Sequence, residues 1–162
     1  MFTPVFISGV ILALTGSAAA VPPSCDPNLL SIEGAGGGDA VSFEVALADT
    51  PDTLSRGLMM VDDMPADAGM LFIFPHTGEV SFWMKNTLIP LDMLFIDEAG
   101  YVSSIHENAI PHDTTSIRSD GDVRYVLEIN GGLSEALDLS VGDRVVNLAM
   151  GTGCAKNTKG AE

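Results

Sequence analysis

Between Phe82 and Asp97 a lysine and an aspartate, Lys85 and Asp92, stand among apolar residues beside the only tryptophan, Trp83. A charge removed from water must find an opposite charge or a full set of hydrogen bonds. If the two halves of this stretch pair as an antiparallel hairpin closed by Thr87–Pro90, Lys85 faces Asp92, Met84 faces Met93, Trp83 faces Leu94 and Phe82 faces Phe95. Period-2 alternation then puts Phe82, Met84, Met93 and Phe95 on one face, and Trp83, Lys85, Asp92, Leu94 and Ile96 on the other. Two roles for the ion pair stay open. It fixes the register of the hairpin, as polar groups in apolar surroundings do. Alternatively, Lys85, Asn86 and Asp92 line a pocket floored by Trp83, where a desolvated pair titrates abnormally.

Two other chemistries are compatible with the residue types. Asp92 and Glu128, with Lys85, are the carboxylates a hydrolase would need for acid–base work, although nothing in their spacing makes the side chains converge. Met59, Met60, Met64, Met70, Met84 and Met93 with His76, His106 and His112 are soft ligands of the kind that select Cu(I). Methionine is equally an adaptable core filler, and Met70, Met84 and Met93 fall on core faces. No G-x-S-x-G, H-E-x-x-H or Gly-rich phosphate loop is present. The expectation is therefore a non-catalytic binding module for a small polar ligand or a cell-envelope partner, with no catalytic residue, cofactor or metal assigned. A hydrolase and a copper protein are the alternatives.

Strands must position these residues. Val41–Leu47 alternates strictly, with Val41, Phe43, Val45 and Leu47 on one face. Thr50-Pro51-Asp52 is a helix start: a capping hydroxyl, a proline at the first turn and an acid at the positive end of the dipole. Gly69–Phe74 is a continuous apolar run stopped by Pro75 and reads as a strand buried on both faces. Strands follow at Leu91–Ile96, Tyr101–His106, Val123–Ile129 and Arg144–Met150, with a polar loop over Glu107–Gly121 and a second short helix from Leu133. The fold class is mostly β: a sandwich or barrel of about seven strands with two short helices.

The chain of 162 residues has room for one such domain, expected over 41–150 and followed by a polar tail over 151–162. Residues 21–40, rich in Pro and Gly, read as a flexible linker. Residues 1–20 combine a short apolar run with Ser17-Ala18-Ala19-Ala20, the pattern of a signal peptide cleaved after Ala20, although Arg56 is the first basic residue. Export places the domain in the periplasm or outside the cell, free of the membrane once cleaved. There, the two cysteines, Cys25 and Cys154, are expected to form a disulfide. Acidic residues outnumber basic ones 22 to 7, a net charge of −15 that repels nucleic acid and anionic lipid. The domain is expected to act as a monomer.

Several segments together resemble the domain of unknown function 192 family. They are Arg56-Gly57-Leu58-Met59, Gly69–Phe74, Phe82–Thr87 with Ile89-Pro90-Leu91-Asp92, Tyr125–Glu128 and Val141–Arg144. They occur in the family's order and span about Val41 to Leu148. The resemblance implies a compact, mostly β domain, often exported, with no settled activity. It points to Arg56, Lys85, Asn86, Asp92 and Glu128 as the polar positions of the pattern.

Overall fold

The computed structural model describes residues 25–37 and 39–153. The signal segment, the start of the linker, Cys154 and the rest of the tail fall outside them, so the leader and disulfide expectations lie beyond the described residues. Seven strands form one sheet: β1 (Leu29–Glu33), β2 (Val41–Ala48), β3 (Ala68–Gly78), β5 (Leu91–Ile96), β6 (Val102–Ala109), β8 (Val123–Asn130) and β9 (Arg144–Val146). Their spatial order is β6-β5-β8-β3-β2-β1-β9. Two short strands, β4 (Ser81–Phe82) and β7 (Ile117–Arg118), make a second sheet, and the helices are α1 (Pro51–Arg56) and α2 (Leu133–Ala136).

The large sheet curls until its ends touch. Tyr101 bridges Arg144, and Val145 N–H donates to the Gly100 carbonyl. Inside the curl lies one apolar cluster drawn from all seven strands, including Leu30, Phe43, Leu71, Leu94, Val102, Leu127 and Val145. The expected barrel-like β fold with two short helices is what forms. Alternate residues of β3, β5 and β8 face outward, yet they too are buried: Phe72, Met93, Phe95 and Val126 join Leu58, Met84 and Leu91 in a second cluster. Both faces of these central strands are therefore covered, as the unbroken apolar run at 69–74 requires.

The cover on the outer face comes from α1 and the small sheet. Parallel strands need a crossover, and β2 reaches β3, its parallel partner, through α1. Thr50 caps this helix in a reciprocal pair with Thr53, and Gly57 ends it at a φ of 50°. A side chain at Gly57 would also meet the Phe72 ring at 3.1 Å, so the helix end rests directly on the sheet.

Three sequence expectations are corrected here. Residues 29–33 are not linker but strand β1, with Leu30 and Ile32 fully in the core and pairing to both β2 and β9; a five-residue strand flanked by Gly-rich composition is masked by its surroundings. The polar stretch 107–121 is not all loop, since β6 runs to Ala109 and β7 follows. The hairpin over Phe82–Asp97 does not form. β4 pairs with β7, and β5 pairs with β6 and β8. Between them, residues 84–90 make an excursion pinned by backbone bonds from Met84 N–H to Asp113, from Met60 N–H to Asn86 and from His112 N–H to Thr87.

Candidate functional site

Loss of the hairpin separates Lys85 from Asp92. Asp92 is fully buried and has no cationic partner. Its Oδ1 accepts from the backbone N–H of Asn108 (2.8 Å) and Gly132 (2.9 Å), and its Oδ2 from Ser134 N–H (2.8 Å) and the Ser134 hydroxyl. Burial pushes this carboxyl up, but the bonds from Ser134, Asn108 and Gly132 outweigh it and hold the group below its ordinary value. Asp92 is thus a clamp that ties β5 to the end of β6 and the start of α2, and register is set by backbone donors in place of a lysine. Lys85 is exposed, its Nζ 5.1 Å from the centroid of Trp83, a cation–π contact. Asn86 is exposed, at a φ of 57°, and contributes its backbone carbonyl to Met60. It serves the turn.

Glu128 behaves in the opposite way. It lies on β8, opposite Met70 of β3 and Met93 of β5, facing the outer cluster. Only 4% of it is exposed, and its Oε2 has no hydrogen-bond partner. Desolvation raises its pKa from 4.5 to about 8, so it is neutral at pH 7. An orphaned buried carboxyl costs free energy. It borders a pocket of about 310 Å³ between α1, β3 and β4.

The pocket brings together three of the residues singled out from sequence: Arg56 from α1, Trp83 from the segment after β4, and Glu128. Phe72, Phe74 and Phe82 wall it, with Phe82 edge-on to both Phe72 (5.1 Å) and Phe74 (6.2 Å). Thr87, buried, and the serines Ser55 and Ser81 add further polar groups. Trp83 is half exposed at the rim, not a floor beneath an ion pair. Asp92 belongs elsewhere: it pairs with Ile129 while Glu128 pairs with Met93, so alternation sends the two carboxyl groups to opposite faces of the sheet. A hydrolase built on both is excluded by that geometry. Phe72, Phe74 and Thr87 were missed as site residues; the double-sided burial of 69–74 was the one signal that something covers the outer face.

A larger hollow, about 500 Å³, runs along β6 and residues 113–120. Its charged lining, His106, Glu107, Asp113, Arg118 and Asp120, is exposed and mixed in sign, and it holds no buried ionisable group. The smaller pocket is the better candidate because a desolvated acid borders it. Among the described residues no group of three or more His, Cys, Asp or Glu is placed to hold a metal, and no helix is long and apolar enough to cross a membrane. Met84 and Met93 are core, at 1% and 0% exposure.

Comparison with known proteins gives the same fold. A crystal structure from Sinorhizobium meliloti 1021, provisionally labelled a transcription regulator, is 41% identical over 80% of this chain and 98% of its own, with a TM-score of 0.73. A Novosphingobium aromaticivorans DSM 12444 protein of unknown function is 34% identical over 85% of this chain and 99% of its own, with a TM-score of 0.69. No curated protein matches. The DUF192 family model, described as an uncharacterized ACR, matches residues 32–147, a stretch that takes in β2 through β9 and with them Arg56, Trp83 and Glu128. The chain belongs to the DUF192 family.

Proposed function

We propose that this chain is an exported, non-catalytic binding module whose site is the pocket beneath α1. The observation that carries the reading is Glu128, a buried acid whose Oε2 has no hydrogen-bond partner, in the lining of an aromatic-walled cavity open to solvent. Such a cavity, mostly apolar with a few placed polar groups, has the makeup of a small-molecule site. Glu128 lines the cavity behind its rim with only 4% of its surface exposed, which suits a small molecule seated in the cavity better than the flat face of an envelope protein. A catalytic role would need a second convergent acid or base, and Arg56 is the one other ionisable group in the lining.

Export rests on the leader pattern of residues 1–20 and predicts a mature N-terminus at Val21. A Cys25–Cys154 bridge is supported by the described segments that lead toward the two cysteines. β1 pairs with β9, and Asn147 Nδ2 donates to the carbonyls of Pro27 (2.7 Å) and Leu29 (3.0 Å), which brings the two approach segments side by side. The label of the Sinorhizobium protein is not carried over, because a net charge of −15 opposes approach to duplex DNA.

Trp83 is the only tryptophan and stands at the rim, so its emission reports occupancy. Screening a diverse set of small molecules should find saturable changes in that emission. A silent screen up to millimolar concentration, with the protein folded, refutes the binding function.

A further inference from the structure

The arrangement of charge around the pocket says which guest it suits. Only seven Lys and Arg exist in the chain, and two of them stand here: Arg56 in the lining and Lys85 over the Trp83 ring at the rim. Neither has a carboxylate within 4 Å; among the described residues the one ion pair is Arg144 with Glu33. In a molecule with 22 acidic side chains, two cations left without acidic partners at one opening make that opening locally positive against the overall field. Behind them waits a buried carboxyl with an unused oxygen.

Resting on the pocket as the binding site, we infer that its ligand is a small organic carboxylate with an apolar body. The body packs against Phe72, Phe74 and Phe82, and the carboxylate reaches Arg56 and the Glu128 carboxyl. An ammonium guest would stand against the like charges of Arg56 and Lys85, which is costly. A neutral guest would leave the guanidinium unused. A carboxylate accepts from the Arg56 guanidinium and from the protonated Glu128, two charge-assisted hydrogen bonds. Of the charged groups on the elements around Glu128, Asp52 of α1, His76 of β3, Asp92 of β5 and Arg124 of β8 lie outside the pocket lining and Arg56 lies in it; next to Glu128 itself stand Met70, Phe72 and Phe74 of β3, Phe82 of β4 and Met93 of β5. Ionisation of Glu128 above pH 8 therefore places a second negative charge against the guest and weakens binding.

The test uses 3-phenylpropanoate, 3-phenylpropan-1-ol and 3-phenylpropan-1-amine, which share one body and differ in head group, titrated against Trp83 emission. The carboxylate should bind about tenfold tighter than the alcohol at pH 7, with the amine weakest. Arg56→Gln should erase the preference for carboxylate over alcohol, and Glu128→Gln should flatten the fall in carboxylate affinity above pH 8. Equal or tighter binding of the amine or the alcohol, or a preference that survives Arg56→Gln, overturns the carboxylate class while leaving the pocket as a site. Failure of all three probes also overturns the class, and if the wider screen is silent as well, the pocket reading falls with it.

Discussion

Glu128→Gln should make the protein more stable at neutral pH, by an amount set by how far burial has moved its titration. The folded state holds the Glu128 proton up to about pH 8, whereas the unfolded chain releases it near 4.5. Between those values the unfolded state binds fewer protons than the folded one, so this group makes stability fall as pH rises, and the loss levels off above pH 8. At pH 7 the gap is about 2.5 pH units, and at about 1.4 kcal/mol per unit the penalty is about 3 kcal/mol. Glutamine keeps the shape and polarity of the neutral acid and never ionises, so it removes the penalty without leaving a cavity. Urea denaturation of both proteins at pH 4 and pH 7 should show near-equal stability in acid and a variant more stable by about 3 kcal/mol at neutrality. A difference that is the same at both pH values would refute the claim that Glu128 is neutral in the folded protein. A gain of that size confined to neutral pH would mark Glu128 as a group that folding does not need.

Asp92→Ala should destabilise by about 3 kcal/mol or more, because it strands three backbone donors and the Ser134 hydroxyl in the interior. Lys85→Ala should cost less than about 0.5 kcal/mol, the ordinary range for a surface site; an equal loss in both would restore the ion pair that the geometry denies. Because the Asp92 carboxyl is held below its ordinary value, its contribution is present above pH 3.8 and lost as pH falls through the folded value, so the acid-unfolding limb should be shallower in Asp92→Ala. Gly69→Ala should cost about 1–3 kcal/mol, since its Cβ would sit 2.6 Å from the Glu128 carbonyl and must push β3 from β8; a neutral result would mean the strands are looser than described. Reduction of the exported protein should lower its melting temperature if Cys25 and Cys154 are joined, and an unchanged melting curve would count against the bridge.

Much of this fold could be read in advance because its signals are local. The alternation of 41–47, the cap at Thr50-Pro51 and the run at 69–74 each constrain a few residues, and β2, α1 and β3 form there. Phe82, Met84, Met93 and Phe95 do gather in one cluster, with Phe82 and Phe95 rings 6.1 Å apart, although no hairpin joins them. What could not be read was pairing. A strand chooses its neighbour by the register and cover available across the whole sheet, and the apolar pattern of 91–96 fits any central position. Asp92 shows the consequence for the site. Its need for partners was visible, but backbone N–H groups carry no residue signature, so the nearest lysine was the natural assignment and the wrong one. Glu128 was flagged as one of a pair of carboxylates and by its place in the family pattern, not by its surroundings, which only the covering of the outer face creates.

Glu128, neutral and without a hydrogen bond at Oε2, waits for a guest. Side-chain carbonyl NMR of Glu128, followed across pH with and without 3-phenylpropanoate, tests this most directly. Glu128 should titrate near pH 8 in the free protein and higher still when the carboxylate is bound beside it. Titration near 4.5, or a value that does not move when the ligand saturates, would contradict this.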